Sequence, residues 1–180
     1  AVHMDAGDAD GLLNRFRQIT GLRGELKGSR IDLVERGLIA ELFEKYHGYA
    51  HIAVIRRAGI GLLTAQSRTL DLDIYAHLLD AALDAVLPRT GGCAEVVIDD
   101  GRYDPNILGR VRRSVADSLG QWGNARLTES HLSAGVQIAD VIANSAFNIG
   151  IESERAERIR RIWQPLFDAG RVVMREVTMP

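Results

Sequence analysis

A single cysteine, Cys93, stands among the 180 residues, which excludes an internal disulfide and a multi-thiolate zinc site. No apolar run approaches the roughly 20 residues that span a bilayer. No charged, apolar and small-residue leader opens the sequence. A reduced, cytoplasmic setting is the expectation these absences leave. Lysine is almost missing: Lys27 and Lys45 stand against arginine at every other of the 22 basic positions. Arginine suits bidentate phosphate or carboxylate contacts, and the same bias arises from genome composition alone. Aromatic residues make up only 6% of the chain, so no base-stacking platform is evident. Neither sign of charge prevails: a net charge of −2 gives no overall pull toward nucleic acid. No repeat, low-complexity tract or Pro/Ser-rich linker divides the chain, so one domain over 1–180 is expected.

What is present reads as alternating strands and helices. "AVHM" is strand-like and "DAGDADG" is turn chemistry, followed by a short helix over 11–20 with Leu12, Leu13, Phe16 and Ile19 on one side. After the Gly-punctuated "TGLRGELKGSR", Ser29 is a cap for a helix with Leu33, Val34, Leu38, Leu42, Phe43 and Tyr46 at helical spacing. "YAHIAVIRR" is the next strand, and Thr69 caps a helix that runs to Leu87. "GGCAEVVIDDG" reads as a buried strand, because Val96, Val97 and Ile98 are contiguous rather than alternating. Cys93, at its start, reads as core. Asp104-Pro105 opens a helix, "NARLTESHL" is a strand, and Ser133 caps the helix after it. A charged amphipathic helix over 152–168 and the strand "RVVMREV" close the chain. This order predicts an α/β layered domain.

Three acids stand in unusual positions. Asp99 ends the buried strand, where open α/β sheets place ligand sites; with Asp100, Gly101 and Asp104 it also fits a plain strand-ending turn. Asp140 lies in the apolar helix of "GVQIADVIANSAFNIG" and shares a stripe with Gln137, Asn144 and Asn148. A buried acid there needs a cation, either a metal or one of the arginines. Glu25 sits in "GELKGSR" among small residues that let other groups approach, and reads equally as a solvated loop residue. Carboxylates gathered in one place repel unless a cation joins them, and Mg²⁺ or Mn²⁺ is the natural oxygen-ligated candidate.

"ELKGSR", then "VVIDD", then "SAGVQIADVIA", in that order, resembles a large bacterial and phage family, a domain of unknown function with a ribonuclease H-like fold. Its members carry an Asp-Glu-Ser-Gly strand, then Glu-(Leu/Ile)-Lys, a strand ending in Asp, and a Gly-Leu-Gln-x-Ala-Asp helix. The last motif reads here Gly135-Val136-Gln137-Ile138-Ala139-Asp140. The resemblance runs over about residues 1–150 and implies a ribonuclease H-like mixed sheet flanked by helices. It implies Glu25, Asp99 and Asp140 as catalytic, metal-holding acids, with Lys27 in the catalytic set and Gln137, Asp100 and Asn144 in support. Asp-Glu-Ser-Gly itself is missing from the 180 residues. Asp5 is a degenerate candidate for its metal ligand, or "AVHM" is the second strand and the first precedes Ala1.

The activity so implied is hydrolysis of nucleic-acid phosphodiesters, DNA or RNA, with two Mg²⁺ or Mn²⁺ ions about 4 Å apart. Arg110, Arg112 and Arg113, on the helix after Asp99, are candidate phosphate contacts or simply a solvated face. The Arg-rich helix after Glu152 offers a surface for a partner, a second copy included. The missing acid strand favours a rival: a catalytically inactive ribonuclease H-like binding module of phage or mobile-element biology.

Overall fold

The computed structural model describes residues 1–55, 68–91, 94–101 and 104–178. The core reading of Cys93 falls outside these residues, and the proposed Thr69 cap falls outside the described side chains.

Asp5 opens the first helix, its carboxylate accepting from Gly7 N at 2.8 Å to cap α1 (Ala6–Thr20). "DAGDADG" is therefore the start of the helix and not a turn before it, because a capping acid satisfies amides that would otherwise face solvent. Gly21 ends α1 with φ +74°, a left-handed conformation that glycine adopts without strain. Leu12, Leu13 and Phe16 are buried as the periodicity predicts, whereas Ile19 is exposed.

The next helix, α2 (Leu33–Lys45), is capped by Asp32 rather than Ser29. Asp32 Oδ1 accepts from Glu35 N at 2.8 Å and Glu35 Oε2 accepts from Asp32 N at 2.9 Å. Such a reciprocal box satisfies two orphan amides at once, which a serine further upstream cannot do. Its inner face carries Ile39, Ala40, Leu42, Phe43 and one charged residue, Arg36.

Strands β1 (Val2–His3), β2 (Tyr49–Val54) and β5 (Val172–Glu176) form a mixed sheet in the order β1-β2-β5. β1 runs antiparallel to β2, with Val2 opposite Ala50; β5 runs parallel to it, with Ala50 opposite Val172. Strands β3 (Ala94–Asp99) and β4 (Gly123–Thr128) form a parallel pair, with Asp99 opposite Thr128. Of the apolar run in β3 only Ile98 is buried, and among the described residues β4 is the one strand paired with it.

Helices α3 (Arg68–Val86), α4 (Pro105–Leu119), α5 (Ala134–Gly150) and α6 (Ala156–Asp168) complete the described α-helices. Asp104 caps α4 through Asn106 N at 2.8 Å, and Ser133 caps α5 through Val136 N at 3.3 Å, both where the sequence places them. Two apolar clusters result. One joins α1, α2, α5 and α6 around Phe16, Phe43, Ile138 and Trp163. Within it the Phe43 and Trp163 rings meet edge to face at 6.5 Å and 73°, worth about 1 kcal/mol beyond the area they bury. The other joins α3, α4, β3 and β4 around Leu83, Ile98, Val111 and Val115. Helix α5 packs on β1, β2 and β3 alike. The architecture is thus a mixed α/β fold, and among the described residues no helix is long and apolar enough to cross a membrane.

Candidate functional site

The polar stripe of α5 faces the segment Glu25–Gly28. Leu26 is fully buried in the first cluster, and its amide donates to Gln137 Oε1 at 2.9 Å. Two residues on, Gly28 N donates to Asp140 Oδ2 at 2.7 Å. Gln137 Nε2 in turn donates to His131 O at 3.3 Å, fixing the short 3₁₀ turn Ser130–Leu132 that follows β4. Gln137 and Asp140 are one helical turn apart, so they match two amides of a non-helical segment that has no ladder of its own.

Glu25 and Lys27 flank the buried leucine and meet each other on its outer side. Lys27 Nζ lies 2.8 Å from Glu25 Oε1 and 3.0 Å from Ser130 Oγ, and the Ser130 hydroxyl donates to Glu25 Oε1. The hydrogen bond from Lys27, then that from Ser130, holds the Glu25 carboxyl below its usual pKa. The hydrogen bond to Glu25 raises Lys27, and the charges of Glu25, Asp140 and Asp99 add to that. Of the three predicted acids, Glu25 bonds directly to this ammonium.

Behind this cluster lies a residue the sequence reading passed over. Arg36 is 3% exposed, yet it carries a charge from α2 into the interface with α5. Its Nη1 donates to Ser145 Oγ at 2.7 Å; its Nη2 donates to Asn144 Oδ1 at 2.7 Å and also to Gly28 O. Asn148 continues the stripe, donating to Asn144 O at 2.8 Å. Burial pulls the Arg36 pKa down, and the Asp140 charge works the other way. Its signal was visible: position 36 lies three and four residues before Ile39 and Ala40, on the buried face. Ser145 left no comparable mark, because small hydroxyl residues occur everywhere on turns and helices.

The other predicted residues are placed separately. Asp99 is exposed at the end of β3 and its Oδ1 accepts from Gly101 N at 3.2 Å, the turn role open to it from the start. Asp100 is held through its amide, which donates to Thr128 O at 3.1 Å. Asp5 caps α1 and joins none of the contacts around Lys27. Arg110 and Arg113 are exposed on α4 and Arg112 is half-buried; Arg113 Nε donates to Gly109 O at 3.2 Å. No carboxylate pairs with these three guanidiniums among the described residues.

Among the described residues no three His, Cys, Asp or Glu side chains are disposed to hold a metal ion. Glu25 is already bonded to an ammonium and a hydroxyl, and Asp140 to a backbone amide. As arranged, these residues do not fit Mg²⁺ or Mn²⁺, and Glu25 has the Lys27 ammonium as its cation. Comparison of the chain with known protein families, with curated proteins and with solved structures returned no match.

Proposed function

We propose that the chain is a ribonuclease H-like module that binds nucleic acid without cleaving it, of the kind phage and mobile-element systems employ. The observation that carries this reading is the state of the acids: Glu25 is engaged by Lys27 and Ser130, and Asp140 by Gly28 N. The fold part is supported by the antiparallel β1-β2 pair, the parallel β3-β4 pair and the packing of α5 on both. The partner is suggested by Arg110, Arg112 and Arg113, three guanidiniums on one helix without paired carboxylates among the described residues. Each phosphate neutralised by such a group releases counterions and steepens the salt dependence of binding.

The test is equilibrium binding of labelled DNA and RNA between about 50 and 200 mM salt, with chelator present. Binding that survives chelation, with a slope reduced by about 3 when all three arginines become glutamine, supports the module. No binding at the lower salt overturns it.

Metal-dependent phosphodiester hydrolysis is the second reading, favoured by the joint action of Glu25, Asp99 and Asp140 on Lys27. It requires Lys27 to leave Glu25. Cleavage of DNA or RNA with Mn²⁺ that disappears in both Asp99→Asn and Asp140→Asn would establish it over the binding module.

A further inference from the structure

The two faces of the β2-β5 pair are unlike. Ile52 and Val172 lie against Ile142, Ile149 and Trp163 in the first apolar cluster. The opposite face, by the period of two, carries His51, Ala53, Arg175 and Val177, and α3 lies across it. Alanines on both sides, Ala53 on the strand and Ala81 and Ala85 on the helix, leave the layers apart. The space between is a cleft of about 400 Å³, within the size range of small-molecule sites.

Asp80 and Asp84, one turn apart on α3, and Arg175 from β5 all line this cleft, yet no ion pair joins them to each other or to any described residue. His51 lines it as well, 4% exposed, and its ring has no hydrogen-bond partner among the described residues. Burial first, then the charges of the amino terminus and Arg175, lowers the His51 pKa, so the ring is neutral and keeps one lone pair for a donor. His77 marks one end, with its Nε2 3.0 Å from Thr178 O. A buried polar group without a partner is costly, and opposite charges held apart over a cavity are the complement of a ligand bearing both.

We propose that this cleft binds a small basic zwitterion, a molecule with two cationic nitrogen groups and one carboxylate, as in a basic amino acid. Asp80 and Asp84 receive the cationic groups, Arg175 the carboxylate, and His51 accepts from a ligand N–H. Among the described residues of the cleft, two carboxylates stand against one guanidinium with His51 neutral, the complement of that ligand's charges. None of these residues belongs to the Glu25, Lys27 and Ser130 cluster, so the proposal is independent of the function assigned there.

Calorimetric titration of the full chain with L-arginine, agmatine and L-glutamate tests it. L-Arginine binds; agmatine, which lacks the carboxylate, binds about tenfold more weakly; L-glutamate gives no heat. Asp80→Asn with Asp84→Asn weakens L-arginine by about tenfold or more, and Arg175→Gln removes the difference between L-arginine and agmatine. These three side chains are surface-exposed, so the variants fold. No L-arginine binding at millimolar concentration overturns the proposal. So does an affinity unchanged in the double variant, or L-glutamate binding as well as L-arginine.

Discussion

Gly28 donates its amide to Asp140 Oδ2 at 2.7 Å while its carbonyl accepts from Arg36, so one glycine links a carboxylate and a guanidinium that form no direct pair. The contact joins positions 112 residues apart in the chain and pins the Glu25–Gly28 segment onto α5. Removing the carboxylate leaves a backbone donor without its acceptor and takes a countercharge from a buried arginine. Asp140→Ala is therefore expected to cost about 3 kcal/mol in urea unfolding. Asp140→Asn keeps an acceptor and is expected to cost about 1 kcal/mol. Equal losses in the two variants would show that the charge, and not the hydrogen bond, governs this contact.

Glycines 28 and 37 should respond to alanine in opposite directions. A Cβ on Gly28 would stand 2.6 Å from Asn144 Cβ, 2.8 Å from Asp140 O and 3.0 Å from Val141 Cα, most of which cannot move without shifting α5. Gly28→Ala is expected to lose about 3 kcal/mol. Gly37 lies within α2 with nothing within 4 Å of its Cβ position, so Gly37→Ala is expected to gain about 0.5–1 kcal/mol. Parallel urea unfolding curves of the two variants and the parent chain check both signs.

How much of this was legible in the sequence depended on whether the signal was local. Asp104 before Pro105, and Ser133 before an apolar helix, act through the next turn, and both cap where the pattern puts them. Asp32 was missed as a cap because the glycine and serine upstream of it read as loop, whereas capping depends on the one side chain at the boundary. The stripe of Gln137, Asp140 and Asn144 was visible from its spacing, but its partners were not. Those partners are amides of residues 26 and 28, and an amide carries no sequence signature. Arg36 illustrates the same limit from the other side: its position on the buried face could be read, but not the oxygens of Gly28, Asn144 and Ser145 that make burial tolerable. The metal expectation placed Lys27 in the catalytic set beside the acids, but not its ammonium against Glu25, a contact that no spacing of two residues specifies.

Arg36 should not tolerate lysine. Its guanidinium reaches three oxygens on two sides through Nη1 and Nη2, a fork that a single ammonium on a longer, narrower stem cannot reproduce. Arg36→Lys is expected to lose about 2 kcal/mol although it keeps the charge. Arg36→Met, which also removes a buried charge that interacts with Asp140, is expected to lose about 3 kcal/mol. Guanidinium unfolding would mask the electrostatic part by screening, so urea is the denaturant that separates the two variants.

The Glu25 and Lys27 pair should give the fold two pH limbs of opposite sign. Glu25 titrates lower in the folded chain than its ordinary value of 4.5, so the unfolded chain binds more protons there. Its contribution is complete above that value and is lost as pH falls through the depressed folded pKa. Lys27 titrates higher than its ordinary 10.5, so its contribution is complete below that value and is lost as pH rises through the raised folded pKa. Between the two limbs the pair contributes a constant stabilisation. Urea midpoints measured from about pH 3 to 11 should show both limbs in the parent chain. Glu25→Gln removes the acid limb contributed by this residue, and Ser130→Ala shrinks it, since the serine is the second cause of the Glu25 shift. Lys27→Met acts on both ends: it deletes the alkaline limb and, by removing the first cause of the Glu25 shift, most of the acid limb too. An acid limb of full size in Lys27→Met would mean that the ammonium is not what holds Glu25 ionised.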